Sequence, residues 1–166
     1  MASSWCIFWR IILQLSEHFT LEEATHSDTA IRMGINNQPD ERQLENMKKA
    51  AAGMEQVRAL LGKSISVNSW IRLPEVNVAV GGSKVSSHMD GWAIDFTCKG
   101  FGDTYAVAQA LAKSDIKFDQ LIHEFGRWVH VSFAPEMRQQ KLTIFNPQKK
   151  YLPGILTEDE YHKQAG

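Results

Sequence analysis

Several features that define other classes of protein are scarce or missing in this chain of 166 residues. Its two cysteines, Cys6 and Cys98, form no CxxC motif, and nothing in the sequence supports a disulfide between them. Charges of the two signs nearly cancel, with 18 Lys and Arg against 19 Asp and Glu. Because no basic surface is available to neutralise phosphates, nucleic acid is not an expected partner.

A long apolar run is also missing. The stretch WCIFWRIILQL at residues 5–15 is interrupted by Arg10 and is far shorter than the roughly 20 residues that a membrane-spanning helix needs. It has no positive charge before it and no small-residue cleavage site after it, so a secretory signal peptide is not indicated. We expect residues 1–15 to be an appendage outside the folded domain; a helix that docks on the core or touches a membrane surface is the alternative.

Motifs for covalent catalysis and for phosphate binding are absent too. The sequence contains no GxSxG elbow and no Cys/His pair in a suitable context, so a Ser or Cys nucleophile is not indicated. There is no GxGxxG motif either. Gly81, Gly82 and Ser83 stand outside a strand–glycine–helix context, and we interpret them as a turn.

What the chain does contain is the pattern of one α+β domain with a substantial core, since 43% of its residues are hydrophobic. Thr20 begins a capping box, and Asp40 begins a longer helix that Gly62 ends. Strands are predicted at residues 64–70, 92–97, 118–122 and 128–133, and further helices at residues 74–80 and 103–113. The domain is expected to span residues 16–156, before a polar tail at residues 157–166 that should fray.

The most informative pattern is SSHMDGWAID, which places His88 and Asp95 seven residues apart. Gly91 lies between them and lets the chain bend back, so both side chains can face one point. Asp95 lies between two apolar residues of a predicted strand, where a buried carboxylate needs a partner. A metal cation would satisfy it.

His130, in the stretch Trp128-Val129-His130, can supply a third ligand. Two histidines and one aspartate leave the fourth position of a zinc ion open, as in catalytic zinc sites, whereas structural sites usually have four protein ligands. This pattern predicts a zinc hydrolase. A structural, hydrogen-bonded histidine is the alternative for His130, and the same ligand set also suits iron or cobalt.

The motif SxHxxGxAxD followed by W-x-H resembles that of the zinc D-alanyl-D-alanine metallopeptidases, whose fold is shared by the amino-terminal domain of hedgehog proteins. The similarity extends from Ser16 through FDQLIHEFGRWVHVSF and is greatest to the compact peptidases that phages encode as endolysins. It implies a single compact α+β domain in which a small antiparallel sheet with flanking helices carries the site. It also implies one Zn²⁺ per chain, bound by His88, Asp95 and His130.

The general base departs from the commonest family pattern. Many members have a glutamate three residues before the last histidine, where this chain has Arg127. Glu124 lies six residues before His130, and other branches of the fold carry an acidic residue at about this distance. The resemblance therefore favours Glu124 as the base, with His123 as the alternative.

Four further residues are candidates around the site. Arg72 lies in WIRLPEVN, a partial match to the family's xYRxPexN, which implies a guanidinium that binds a substrate carboxylate or the oxyanion. A surface ion pair is the alternative for Arg72. Ser86 is expected to orient the His88 loop or to donate to substrate. Asp119 and Trp128 are expected to contribute contacts behind or beside the site.

The resemblance implies a zinc-dependent peptidase that hydrolyses an amide bond in peptidoglycan stem peptides, such as an L-alanyl-D-glutamate endopeptidase. A D-alanyl-D-alanine carboxypeptidase and a non-catalytic, zinc-containing cell-wall binding module are the alternatives. We expect a monomer with no stable protein partner. It would be made in the bacterial host cytoplasm, without a clear signal peptide, and would act on the cell wall after release.

Overall fold

The computed structural model describes residues 13–166. Its helices are α1 Leu21–Thr25, α2 Asp28–Met33, α3 Glu41–Leu61, α4 Pro74–Ala79, α5 Thr104–Lys113 and α6 Glu158–Ala165. Its strands are β1 Ser66–Ser69, β2 Ala93–Thr97, β3 Gln120–Glu124, β4 Trp128–Ser132, β5 Gln140–Ile144 and β6 Leu152–Pro153. None of the helices described is long and apolar enough to cross a membrane.

The strands form one six-stranded sheet in the order β1-β2-β4-β3-β5-β6. Neighbouring strands pair antiparallel except β3 and β5, which are parallel. The predicted single α+β domain is confirmed, but its sheet is mixed rather than wholly antiparallel. The difference arises because β5, which follows β4 in the chain, pairs with β3 on the side away from β4. There it runs in the same direction as β3.

The two faces of the sheet have different roles because side chains alternate along a strand. One face carries apolar residues that share a buried cluster with helices α3 and α5. Its members from the three central strands are Ile94, Phe96, Leu121, Val129 and Val131. The residues between them, which include Asp95 and His130, project from the opposite face.

The helix boundaries follow the signals in the sequence. Thr20 and Asp40 accept hydrogen bonds from the backbone of the first turn in capping boxes, and Asp103 caps α5 in the same manner without the reciprocal bond. Gly62 ends α3 in a left-handed conformation, with φ of 61°. Pro74 begins α4. These predicted boundaries are confirmed.

The C-terminal segment differs from expectation. The prediction that residues 157–166 fray is wrong, because they form helix α6 behind a capping box at Thr157. Tyr161 of this helix is fully buried and packs against Phe145 at a ring-centroid distance of 5.4 Å. One buried aromatic side chain therefore fixes a helix whose other residues are mostly polar.

The N-terminal boundary also differs slightly from the one expected. Leu15 is buried in the main core, and its backbone N–H donates to the carbonyl of Phe19. The end of the expected appendage is thus part of the domain. Residues 1–12, and with them Cys6 and Arg10, lie outside the described residues.

Candidate metal centre

Asp95 and His130 are brought together by strand pairing. Asp95 of β2 lies directly opposite His130 of β4 in the antiparallel register, so their side chains project from the same face. The Nδ1 atom of His130 lies 2.9 Å from Oδ1 of Asp95. Both residues are buried.

His88 reaches the same point from the turn that precedes β2. Its backbone N–H donates to Oγ of Ser86, and its carbonyl accepts from the backbone N–H of Arg72. Its Nδ1–H donates to the carbonyl of Trp70 at 2.6 Å, which leaves Nε2 free of a proton and 3.2 Å from Oδ1 of Asp95. A hydrogen bond from the other ring nitrogen fixes the orientation of the imidazole and the tautomer that a metal ligand requires.

Gly91 allows the loop between His88 and Asp95 to lie in close contact with helix α3. Its φ is 81°, and a Cβ atom there would lie 2.6 Å from Cγ of Met47 and 3.1 Å from the carbonyl oxygen of Gln43. Its carbonyl accepts from the indole N–H of Trp70, and Asn46 of α3 donates to the adjacent carbonyl at residue 90. The loop between His88 and Asp95 is thus held against the core.

The three side chains fit a zinc ion. One ligand atom from each of His88, Asp95 and His130 lies within 4.8 Å of the other two. Tetrahedral zinc with bonds of about 2.0 to 2.1 Å separates its ligand atoms by about 3.3 Å, close to the distances of 2.9 and 3.2 Å that Asp95 makes with the two histidines. Two histidines and a carboxylate are also ligands that catalytic zinc sites use.

The charge states of Asp95 and His88 favour cation binding. Burial raises the pKa of Asp95, but His88 and the hydrogen bond from His130 lower it more, so the carboxylate stays ionised. Burial lowers the pKa of His88, which therefore stays neutral as a ligand must be. For His130, burial lowers the pKa, but the hydrogen bond to Asp95 and the negative charges of Asp95 and Glu124 together outweigh this effect, and the net shift is upward.

Glu124 and Trp128 lie on the face of the sheet that carries Asp95 and His130, which we call the metal-binding face. The two residues pair directly across β3 and β4, and the indole N–H of Trp128 donates to Oε2 of Glu124 at 2.7 Å. Burial is the largest effect on Glu124 and raises its pKa; Asp95 adds to this, whereas His130 opposes it. A carboxylate with a raised pKa beside a metal-ligand group has the character of a general base.

Arg72 also faces the site. Its positive charge lowers the pKa values of His88, His130 and Glu124, which places the guanidinium within electrostatic reach of all three. Its Nε atom is buried and has no hydrogen-bond partner. Since an unpaired buried donor is costly, this atom is available for an anionic or carbonyl group of a ligand.

His123 does not join the group. It precedes Glu124 on β3 and therefore projects from the opposite face. Its Nδ1 bonds the carbonyl of Leu156 and its Nε2 bonds the hydroxyl of Thr104, both at 3.0 Å. With both nitrogens satisfied away from the metal group, His123 is not placed to act as the base.

Asp119 forms an ion pair with Arg138. Its two carboxylate oxygens accept from Nε and a terminal nitrogen of Arg138, at 2.8 and 2.6 Å, and its Oδ1 also accepts from the backbone N–H of residue 138. These bonds fix the connection between β4 and β5. Asp119 is also within electrostatic reach of the group, because the charge of His130 contributes to lowering its pKa, and its expected role behind the site stays a prediction.

Tyr151 is a residue that the sequence analysis did not single out. Burial raises the pKa of its hydroxyl, and the charges of Glu124 and Asp95 raise it further, so the hydroxyl lies within electrostatic reach of the site. Its position depends on the pairing of β5 with β6, neither of which the sequence analysis predicted. No local motif marks it.

A buried His–Asp–His group on an α+β domain, with a glutamate beside it, defines a candidate metallopeptidase. A family model described as Peptidase M15 matches residues 17–132, which is most of the chain and includes the three ligands and Glu124. The chain belongs to the Peptidase M15 family, whose members are zinc-dependent. The resemblance to zinc D-alanyl-D-alanine metallopeptidases is thereby confirmed. No curated protein matches the chain.

Proposed function

We propose that this metallopeptidase hydrolyses an amide bond in peptidoglycan stem peptides, as an endolysin-like L-alanyl-D-glutamate endopeptidase. The observation that carries the proposal is the position of Glu124 on the same face as the His88–Asp95–His130 group, with its pKa raised. A module that only binds the cell wall has no use for such a carboxylate. The resemblance to phage endolysins supports the choice of substrate.

The three ligands would hold zinc through Nε2 of His88, a carboxylate oxygen of Asp95 and Nδ1 of His130. When bound, zinc lowers the pKa of a water molecule and polarises the scissile carbonyl. Glu124 accepts the proton of the attacking water and later donates it to the leaving amine. The hydrogen bond from Trp128 holds the carboxylate of Glu124 in one orientation for both transfers.

Arg72 supplies positive charge on the same face. Its unpaired Nε–H can donate to the carbonyl oxygen as that oxygen becomes negative, which is where a preorganised donor lowers the barrier most. The same atom favours a second candidate function. A D-alanyl-D-alanine carboxypeptidase would use Arg72 to bind the terminal carboxylate of its substrate.

Digestion of purified peptidoglycan by the zinc-loaded protein tests the proposal, with the new termini identified by mass spectrometry. We expect a free carboxyl group on L-alanine and a free amino group on D-glutamate. Release of free D-alanine would establish the carboxypeptidase instead. Binding of peptidoglycan without new termini would favour the non-catalytic binding module.

The proposal also includes where and in what state the protein acts. It would act as a monomer on the cell wall, after release from the bacterial cytoplasm in which it is made. Sedimentation of the purified protein tests the oligomeric state, and a dimer at working concentration would contradict it.

A further inference from the structure

Tyr151 lies on the metal-binding face of the sheet. It immediately precedes β6, in which Leu152 is opposite Thr143 of β5, and Thr143 in turn lies beside His123 of β3. Leu152 is buried and shares the face of His123. Because side chains alternate, Tyr151 projects from the other face, the one that carries Glu124.

The backbone before Tyr151 is fixed by helix α6. The fully buried hydroxyl of Tyr161 accepts from the N–H of Lys150 at 3.0 Å and lies 2.9 Å from the Lys150 carbonyl and 3.2 Å from that of Phe145. Thr143 holds the other side of this segment, since its hydroxyl donates to the carbonyl of Gly154 at 2.9 Å. The backbone on both sides of Tyr151 is thus held in place by hydrogen bonds.

The side chain combines exposure with proximity to the site. Tyr151 is 54% exposed, so a ligand can reach it. Burial of part of the ring raises the pKa of the hydroxyl, and the charges of Glu124 and Asp95 raise it further. A tyrosine hydroxyl is protonated at neutral pH in any case, so Tyr151 can donate a hydrogen bond to a ligand on this face.

We propose that Tyr151 is a catalytic residue whose hydroxyl donates a hydrogen bond to the scissile carbonyl oxygen as negative charge develops there. This inference rests on the proposed peptidase function. Tyr151 acts from the segment between β5 and β6, whereas Arg72 acts from the segment between β1 and α4, so the two donors approach from different parts of the chain. Nothing transfers to or from the tyrosine, whose proton stays on its oxygen throughout.

The test is Tyr151→Phe, which removes only the hydroxyl. With a synthetic stem peptide as substrate, we expect kcat to fall by about 100-fold or more, as for the loss of one oxyanion donor. A phosphinate analogue of the cleaved bond, titrated calorimetrically into the zinc-loaded protein, should lose affinity by the same factor. Affinity for the uncleaved stem peptide, measured in Glu124→Gln with and without Tyr151→Phe, should change little.

Tyr105→Phe is the matched control. Tyr105 belongs to α5, its hydroxyl accepts from Gln109, and its ring lies near His123 on the opposite face. This variant should keep the kcat and phosphinate affinity of the unchanged protein. Equal values for Tyr151→Phe would overturn the inference, as would an equal loss for substrate and phosphinate.

Failure of the proposed peptidase function would be seen in the unchanged protein rather than in the Tyr151→Phe variant. Unchanged protein that binds the phosphinate without cleaving stem peptides would contradict the peptidase proposal, while the comparison of phosphinate affinities would still decide the contact with Tyr151. Unchanged protein that neither binds nor cleaves would overturn both.

Discussion

His123 and Glu124 are neighbours in the chain, but strand alternation sends their side chains to opposite faces of the sheet. Glu124 lies on the face with the metal ligands and has a raised pKa. His123 is bonded through both ring nitrogens to Thr104 and Leu156. At the scale of single residues, the face on which a side chain lies separates the proposed catalytic role of Glu124 from the structural role of His123.

His123→Gln tests this separation. Loss of two partly buried hydrogen bonds should lower the free energy of unfolding by about 1–3 kcal/mol, measured by chemical denaturation. Bound zinc and kcat at a temperature where the variant is folded should stay close to those of the unchanged protein. A folded variant that retains zinc but has lost turnover would restore His123 as a candidate base.

The ion pair between Asp119 and Arg138 predicts a pH-dependent contribution to stability. The hydrogen bond from Arg138 lowers the pKa of Asp119 below the value of about 3.9 expected in the unfolded chain. Its contribution is therefore complete above that value and is lost as the pH falls through the lower, folded-state pKa.

Arg138→Met should lower the free energy of unfolding by about 1 kcal/mol near neutral pH, because the half-exposed guanidinium is partly screened by solvent. The difference from the unchanged protein should shrink below about pH 4. Lys48→Met is the control, since it breaks an exposed pair with Glu45 and should have no measurable effect. A difference for Arg138→Met that persists unchanged in acid would contradict the assignment.

Spacing alone predicted that His88 and Asp95 lie near one another, but it left His130 open between a ligand and a structural histidine. The family resemblance was needed to predict the complete group. Neither spacing nor resemblance predicted the contacts of residues whose environment depends on β5. The pairing of Asp119 with Arg138 and the approach of Tyr151 both follow from the way the chain returns along β3. Such distant pairings leave no periodic signal in the sequence.

At the scale of elements, Gly91 connects the metal-binding motif to helix α3. Gly91→Ala places a Cβ atom 2.6 Å from Cγ of Met47 and strains a backbone with φ of 81°. We expect the free energy of unfolding to fall by about 1–3 kcal/mol and zinc affinity to weaken, because the loop that carries His88 must shift.

Gly62→Ala is the matched control. Gly62 has a φ of 61°, but nothing lies within 4 Å of a Cβ atom there. This variant should lose stability through backbone strain alone and should keep its zinc affinity in a competition titration. Equal zinc affinities for the two variants would show that the contact with α3 does not position the metal group.

Elements with clear local signals were predicted well. Capping boxes and a glycine stop marked helices α1 and α3, and apolar alternation marked the three central strands. Helix α6 was not predicted because most of its residues are polar. Its single buried residue, Tyr161, cannot produce an apolar pattern with helical spacing. Strand β6 has only two residues, Leu152 and Pro153, too few for a pattern.

At the scale of the whole molecule, the metal group links folding to metal binding. Asp95 and His130 join β2 to β4, and His88 brings the segment before β2 to the same point. A cation held by all three ligands would bind the folded chain far better than the unfolded one. Free zinc at 100 times its dissociation constant should then raise the free energy of unfolding by about 2.7 kcal/mol.

Asp95→Asn should reduce this stabilisation strongly, because an amide is a much weaker zinc ligand than a carboxylate. Thermal unfolding of both proteins, with zinc and with a chelator, provides the measurement. An equal rise in Tm for the two proteins would place the bound zinc at a different site.

The central claim is that Glu124 turns this metal group into the site of a peptidase. Its most direct test is Glu124→Gln, assayed for bound zinc and for cleavage of purified peptidoglycan beside the unchanged protein. Because the amide retains the shape of the side chain but cannot accept the proton of water, we expect one zinc per chain and a loss of cleavage of at least about 100-fold. Cleavage at the rate of the unchanged protein, with zinc fully bound, would contradict the account.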